Sequence, residues 1–382
     1  MTYLNKIITV LLLFLSATSC VEKYWPVVDK YEHVLVVDGM LTNGIVPIYI
    51  ELSYSSPIND LEIIPACDGE LYITDENQIE IPIIESEPGT YIAMDSSFRG
   101  QIGSSYQLHI NMPNGKKYLS DVCRLTTSSP IDSVYGLKEI HKEENTNETL
   151  YGIQYYIDNH SPNINDTCYY LWRLTQTFKY EAPLTLDYTW EGEYIPYSNP
   201  DSLRTCWYTG QISDNVVFLT KNYGNSEIKK FPLVYVSTVS KALSIRYSLL
   251  IRKLSISEDA FDFYITLEQQ NIEQGNLYSE QPIQVRGNVS NIADIEEPVL
   301  GYFMVAGVSE KRIYTDRPSL PFFYYICYPD FEEMRWIRFI PQSRWPIYLT
   351  QTEFGLAMGT RSMCFDCREE GGSLTPPDFW KE

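Results

Sequence analysis

Four cysteines form the pattern with the most chemical potential in this chain: Cys364-x-x-Cys367, with Cys206 and Cys327 upstream. Four thiolates that include a C-x-x-C pair match a tetrahedral zinc site in a reducing compartment. In an oxidising compartment the same set closes disulfides, either within the pair or from it to Cys206 and Cys327. A thioredoxin-like redox pair needs a βαβ setting, whereas residues 363–380 around this one are rich in Gly and Pro. Structural disulfides are therefore expected, and no metal. Cys67 and Cys123 fall earlier and form a further candidate bridge between two strands. Seven cysteines follow Cys20, so at least one thiol is left over.

Other catalytic patterns are missing from the sequence. It holds no H-E-x-x-H, G-x-S-x-G, G-x-G-x-x-G or Walker-type phosphate loop. The four histidines, His33, His109, His141 and His160, are scattered and read as solvated side chains. Adjacent carboxylates recur, as at Glu258-Asp259 and Glu332-Glu333. A glycosidase needs two carboxyl groups at a set separation across a cleft, and adjacency does not supply that. No catalytic residue and no cofactor are expected.

Cys20 offers a different chemistry. It follows MTYLNKIITVLLLFLSATS, in which Lys6 precedes an apolar run over residues 7–15 and then small polar residues. That run is too short to span a bilayer as a helix. It reads as a secretory signal, residues 1–19, that ends on a cysteine whose thiol would be acylated. Stable anchoring takes more than one acyl chain, and the cysteine of a bacterial lipoprotein carries three. No later apolar run approaches 18 residues, so lipid on Cys20 is the expected membrane contact.

The rest of the chain must position these groups. Cleavage leaves about 363 residues, which a length prior divides into two domains. The net charge of −21 repels phosphate backbones, and no basic stripe offsets it, so no nucleic-acid partner is expected. Residues 106–112 alternate apolar and polar, and Asn114-Gly115 then marks a hairpin turn. Strand runs at 45–54, 70–74 and 79–84 surround it, and Pro82 points the last of these toward a sheet edge. Short strands without a helix predict an immunoglobulin-like β-sandwich over residues 20–128. The polar break TTSSP at 126–130 precedes a second β-rich domain, 129–382, with 138–148 as a charged loop. One helix is expected near 255–275, with Ser255 and Glu258 as a capping box and Gly275 as its stop.

The tract 317–350 differs in composition. It holds Phe322, Phe323, Tyr324, Tyr325, Tyr328, Phe331, Trp336, Phe339, Trp345 and Tyr348, punctuated by five prolines. So much proline disfavours a regular central strand. Its rings either fold onto the core or form a surface for a partner or ligand, with Trp336, Trp345, Tyr324 and Tyr325 as the candidate contacts.

Several blocks carry a resemblance to a known family. They are HVLVVDGMLTNG, SYSSPI, the Pro130-Ile131-Asp132-Ser133 junction, residues 255–314 with GNLYSEQPIQVRGNVSN, and CFDCREEGGSLTPPDFW. Together they resemble the exported lipoproteins catalogued as domain of unknown function 4249. The tract 317–350 departs from the pattern and reads as an insertion. The resemblance implies no activity and carries over one residue, Cys20, as the lipidation site. It further implies an outer-membrane lipoprotein beside a TonB-dependent receptor, capturing ligand or covering the barrel mouth. Surface display would fit it, although Glu22 is the one acid before Lys23, which leaves the leaflet open. The alternatives are an envelope hydrolase of glycosides or peptides, and a glycan-binding module that stacks sugars on exposed, coplanar rings.

Overall fold

The structure is a computed structural model and describes residues 33–44, 48–56, 63–143, 148–160, 168–212, 218–222, 227–273, 285–324 and 327–381. The signal segment, Cys20 and Gly275 lie outside these residues. The chain is mainly β. Before the polar break come β1 (Leu35–Thr42), β2 (Tyr49–Tyr54), β3 (Ile64–Pro65), β4 (Glu70–Asp75), β5 (Glu80–Glu87), β6 (Thr90–Ala93), β7 (Ser105–Asn111), β8 (Lys117–Ser120) and β9 (Cys123–Arg124). After it come β10 (Ser133–Lys142), β11 (Thr149–His160), β12 (Cys168–Glu181), β13 (Tyr188–Trp190), β14 (Tyr194–Pro196), β15 (Thr205–Gln211), β16 (Phe218–Asn222), β17 (Glu227–Ser237) and β18 (Arg246–Ile256). The helix α1 (Glu258–Glu273), β19 (Val289–Asn291) and β20 (Val299–Asp316) follow. The last elements are β21 (Pro329–Asp330), the one-turn helix α2 (Phe331–Met334), β22 (Ile347–Thr352) and β23 (Gly355–Gly359).

Alternation builds the first core. Tyr106, Leu108 and Ile110 of β7 are buried, and the residues between them are half-buried. They meet Leu71 and Ile73 of β4 and Val37 of β1 in one cluster. Tyr91 is fully buried there, and its hydroxyl donates to Ala66 O and accepts from Gly69 N, each at 3.0 Å. The expected hairpin turn is present, with Gly115 at φ +84°. Seven of the first nine strands lie on one hydrogen-bonded path, β1-β2-β6-β5-β4-β7-β8, with β3 paired to β2 and β9 to β7, where an immunoglobulin-like sandwich would divide its strands between two sheets.

The strand β20 joins the two halves of the chain. Its residues Val299 to Ala306 pair in parallel with β1, and Gly307 to Asp316 pair antiparallel with β18. Val289, Val299, Phe303 and Val305 therefore complete a core otherwise built before residue 128. The polar break crosses β20 where it changes partners: a Cβ on Gly307 would stand 2.1 Å from Thr126 O. The second core packs β12 and β18 against the sheet β10-β11-β17 through Trp172, Tyr155, Tyr247 and Ile251.

Close backbone approach at the parallel pair yields a test. Gly301 has φ +88°, and a Cβ there would lie 2.0 Å from Val37 O. Gly115 also has positive φ but nothing within 4 Å of such a Cβ. Left-handed backbone costs a non-glycine residue about 1–2 kcal/mol. Gly301→Ala should therefore destabilise the chain well beyond Gly115→Ala, as read by thermal melting. Equal melting shifts would mean that β20 does not sit against β1.

Three expectations about elements are corrected. Pro82 lies in β5, between β4 and β6 and not at an edge. Its carbonyl accepts from Met94 N at 3.0 Å, so its missing N–H faces past the end of β6 and breaks no ladder bond. Residues 138–142, expected in a loop, continue β10, whose ladder to β11 runs to Lys142↔Thr149. The helix cap is Ser257, whose hydroxyl accepts from Ala260 N at 3.2 Å. Ser255 is still in β18, where pairing to β12 and β20 outweighs the local capping pattern.

Candidate functional site

The four late cysteines are all bonded. Cys206 joins Cys367 and Cys327 joins Cys364, so the C-x-x-C pair is split between two partners. The four thiols are thus used in structural disulfides, the outcome expected of an oxidising compartment. Cys206 lies on β15, where Ser373 adds a single bridge, while Phe379 and Trp380 reach Arg312 and Tyr314 of β20. Trp207 and Ser373 exchange two backbone hydrogen bonds, each at 2.9 Å. The Tyr180 hydroxyl donates to Cys367 O at 2.6 Å, and the Arg312 guanidinium lies 3.5 Å from the Phe379 ring centre.

The expected Cys67 to Cys123 bridge does not form. Cys67 follows β3 beside β2, and Cys123 opens β9 beside β7, so the folding of the sheet path separates them. The Cys123 thiol donates to Phe303 O at 3.6 Å and accepts from Asn288 Nδ2 at 3.2 Å. Burial pushes that thiol up to about 12, which leaves it unreactive.

The second disulfide closes a loop over residues 327–364 that carries most of the aromatic tract. Within it, Asp330 caps α2 by accepting from Glu332 N at 2.9 Å and Glu333 N at 3.0 Å. The strands β22 and β23 form a hairpin, and β22 pairs with β13, giving the small sheet β14-β13-β22-β23-β21. One set of side chains faces in. Ile337, Ile347, Leu349 and Met358 cluster with Trp190, and Trp345 packs against them.

The other set faces solvent. Trp336 is 65 % exposed, Phe339 77 % and Phe354 80 %, and Phe331 is 38 % exposed. Phe331 and Phe354 meet edge-on at 6.4 Å, and Trp336 and Phe339 are tilted at 5.9 Å. The cause is local. In a single 3-10 turn only one residue reaches inward, and Ile337 takes that place at 3 % exposure, which turns Trp336 and Phe339 out. Phe354 stands at the tip of the β22–β23 hairpin, where Thr352 Oγ1 donates to Gly355 O at 2.9 Å and accepts from Phe354 N at 3.1 Å. Arg335, Arg338, Arg344 and Arg361 are exposed on the same loop, and residues 327–364 hold no Lys. An aromatic centre with Arg and without Lys is the composition that protein interfaces select.

Of the four aromatics predicted as contacts, Trp336 faces solvent. Trp345 turns inward against Trp190 and Ile347, because its neighbour Ile347 is buried under the small sheet. Tyr324 is half-buried and meets Phe322 at 5.9 Å. Tyr325 and Cys20 lie outside the described residues. The exposed pairs cross at 52° and 84°, so they form no coplanar stacking platform of the kind the glycan reading requires. Phe354 falls outside the tract 317–350. Its signal was the turn Thr352-Glu353-Phe354-Gly355, where a large apolar side chain at a hairpin tip is left in water.

A family model described as domain of unknown function (DUF4249) matches residues 21–312. No curated protein matches the chain. The matched span stops before the disulfide-closed loop, so both the aromatic surface and the block CFDCREEGGSLTPPDFW lie beyond it.

Proposed function

The chain belongs to the DUF4249 family, and from that premise we propose that it is a lipid-anchored, non-catalytic accessory protein of the outer membrane. It docks through its aromatic face on a TonB-dependent β-barrel, for which it captures ligand or covers the mouth. The observation that carries this reading is the pair of exposed ring contacts on this loop, Phe331 with Phe354 and Trp336 with Phe339. An aromatic ring buries about 150–250 Å² at roughly 25 cal/mol per Å², so each ring left in water is several kcal/mol of unused burial. Residues 327–364 hold four arginines against four acids, in a chain whose net charge is −21. The loop is thus locally neutral, so a partner approaches it with less repulsion than the chain's average surface gives. Two disulfides suit an exported protein. Lipid on Cys20 would hold the body at the membrane, so that docking need not overcome the full cost of free association.

Affinity purification of the tagged chain from detergent-solubilised outer membranes tests this. A β-barrel of the TonB-dependent class should be recovered with it. The triple variant W336S/F339S/F354S should lose the barrel while melting as the native chain does, because exposed substitutions shift stability by about 0.5 kcal/mol or less. Recovery of the native chain alone contradicts the reading.

A further inference from the structure

We infer that a cavity at the end of β12, β18 and β20 binds a compact hydroxylated organic anion, of monosaccharide size, through its oxyanion. The cavity measures about 230 Å³ and its wall includes Arg204, Lys241 and Arg317 with Glu181, Ser244 and Tyr324. Three cations against one carboxylate on so small a surface run counter to a chain of net charge −21. The backbone holds the three cations in place. Arg204 is fixed by Ala182 N donating to Arg204 O at 2.8 Å, and Arg317 by its N–H donating to Ile245 O at 2.9 Å. Lys241 lies on the short turn whose carbonyl receives Ser244 N at 2.9 Å.

Each cation is braced yet keeps donors in reserve. Arg204 reaches Glu181 at 3.7 Å and Asp201 at 3.4 Å. Lys241 reaches Glu370 at 2.5 Å. Arg317 donates from Nη1 to Ser244 O and lies 4.1 Å from the Phe322 ring centre. A guanidinium carries five donors in a fork that fits carboxylate or phosphate. Arg204 also donates from Nε to Ala182 O at 3.2 Å, and the remaining N–H groups of both forks are the donors a ligand would take.

Ser244 is 6 % exposed and lines the cavity between Lys241 and Arg317. Glu181 offers an acceptor for a ligand hydroxyl, and the Tyr324 ring forms an apolar wall. The space is below the range that suits drug-sized molecules, so the ligand is small.

The inference names a ligand class for the capture role and rests on the accessory reading only for its purpose. Binding is read on the purified full chain, so failure here is distinct from failure to recover a β-barrel. Calorimetric titration with glucuronate, glucose 6-phosphate and glucose tests it. At least one of the two anionic sugars should bind and glucose should not, and the pair tells carboxylate from phosphate recognition. Arg317→Gln should weaken binding at least tenfold. Arg204→Gln should do likewise, and as its side chain is about a third exposed it tests the site if Arg317→Gln fails to fold. Binding by neither anion, equal binding of glucose, or undiminished binding by Arg204→Gln overturns the inference.

Discussion

Replacing Cys206 and Cys367 together by alanine should lower stability by about 2–5 kcal/mol, the usual cost of losing a native disulfide. The bond joins residues 161 apart, and a loop of that length constrains the unfolded chain by about 5 kcal/mol in the chain-entropy account. It also holds Cys367 against β15, so the Trp207 and Ser373 bonds and the Tyr180 bond to Cys367 O loosen with it. The Cys327 to Cys364 bond closes 37 residues and should cost about 1 kcal/mol less. All four cysteines are buried, three of them at 0 % exposure, so reductant should act only after unfolding. Thermal melting of both double variants, with and without reductant, measures this. Disulfide-linked peptides should pair residue 206 with 367 and 327 with 364. A link within the C-x-x-C pair would refute the arrangement.

Lys253 should make a contribution to stability that grows with pH on the alkaline side. It is fully buried on β18, where its ammonium donates to Ser129 Oγ at 2.8 Å and Asn159 Oδ1 at 2.7 Å above the Tyr170 ring. Burial pulls it down from the ordinary lysine value to about 8, and the charges of Asp132 and Cys168 only partly oppose this. Below pH 8 the group is charged in both states, and the folded chain bears the whole desolvation cost. Above pH 8 the folded chain releases the proton while the unfolded chain keeps it. The unfolded state then binds more protons, so this group's contribution rises with pH up to about 10.5, by at most about 3 kcal/mol. Other groups titrate in that window, and the difference between native chain and Lys253→Met removes them. The native chain should gain on the variant between pH 8 and 10. Lys253→Ala should cost about 3 kcal/mol or more at pH 7, because it opens a void beside two polar groups left without a donor. A native-minus-Met difference flat in pH would mean that Lys253 is solvated.

The residues foretold local structure where one physical term dominates. Alternation in β7 and the Asn114-Gly115 turn read correctly because a half-buried hairpin is set by its own side chains. The late cysteines read as a structural set because their Gly- and Pro-rich surroundings offer no βαβ setting for a redox pair, although the sequence left their pairing open. Partners far apart in the chain were not legible. Nothing near Leu35 signals a parallel strand at Val299, nor does Pro82 signal that β6 ends before its missing N–H. The Cys67 and Cys123 pairing failed in the same way, since the order of strands decides which cysteines meet. In the aromatic loop, composition identified Trp336 but could not orient it. Short turns leave no periodicity to read, so Trp345 and Trp336 lie nine residues apart with opposite fates.

The docking claim is tested most directly by photo-crosslinking in intact cells. A photoreactive phenylalanine analogue is placed at position 336 or 354 on the aromatic face, or at position 137 on β10 as an exposed control. Docking predicts an adduct with one β-barrel protein from positions 336 and 354 and none from 137. No adduct from the aromatic face, or the same adducts from position 137, would contradict it.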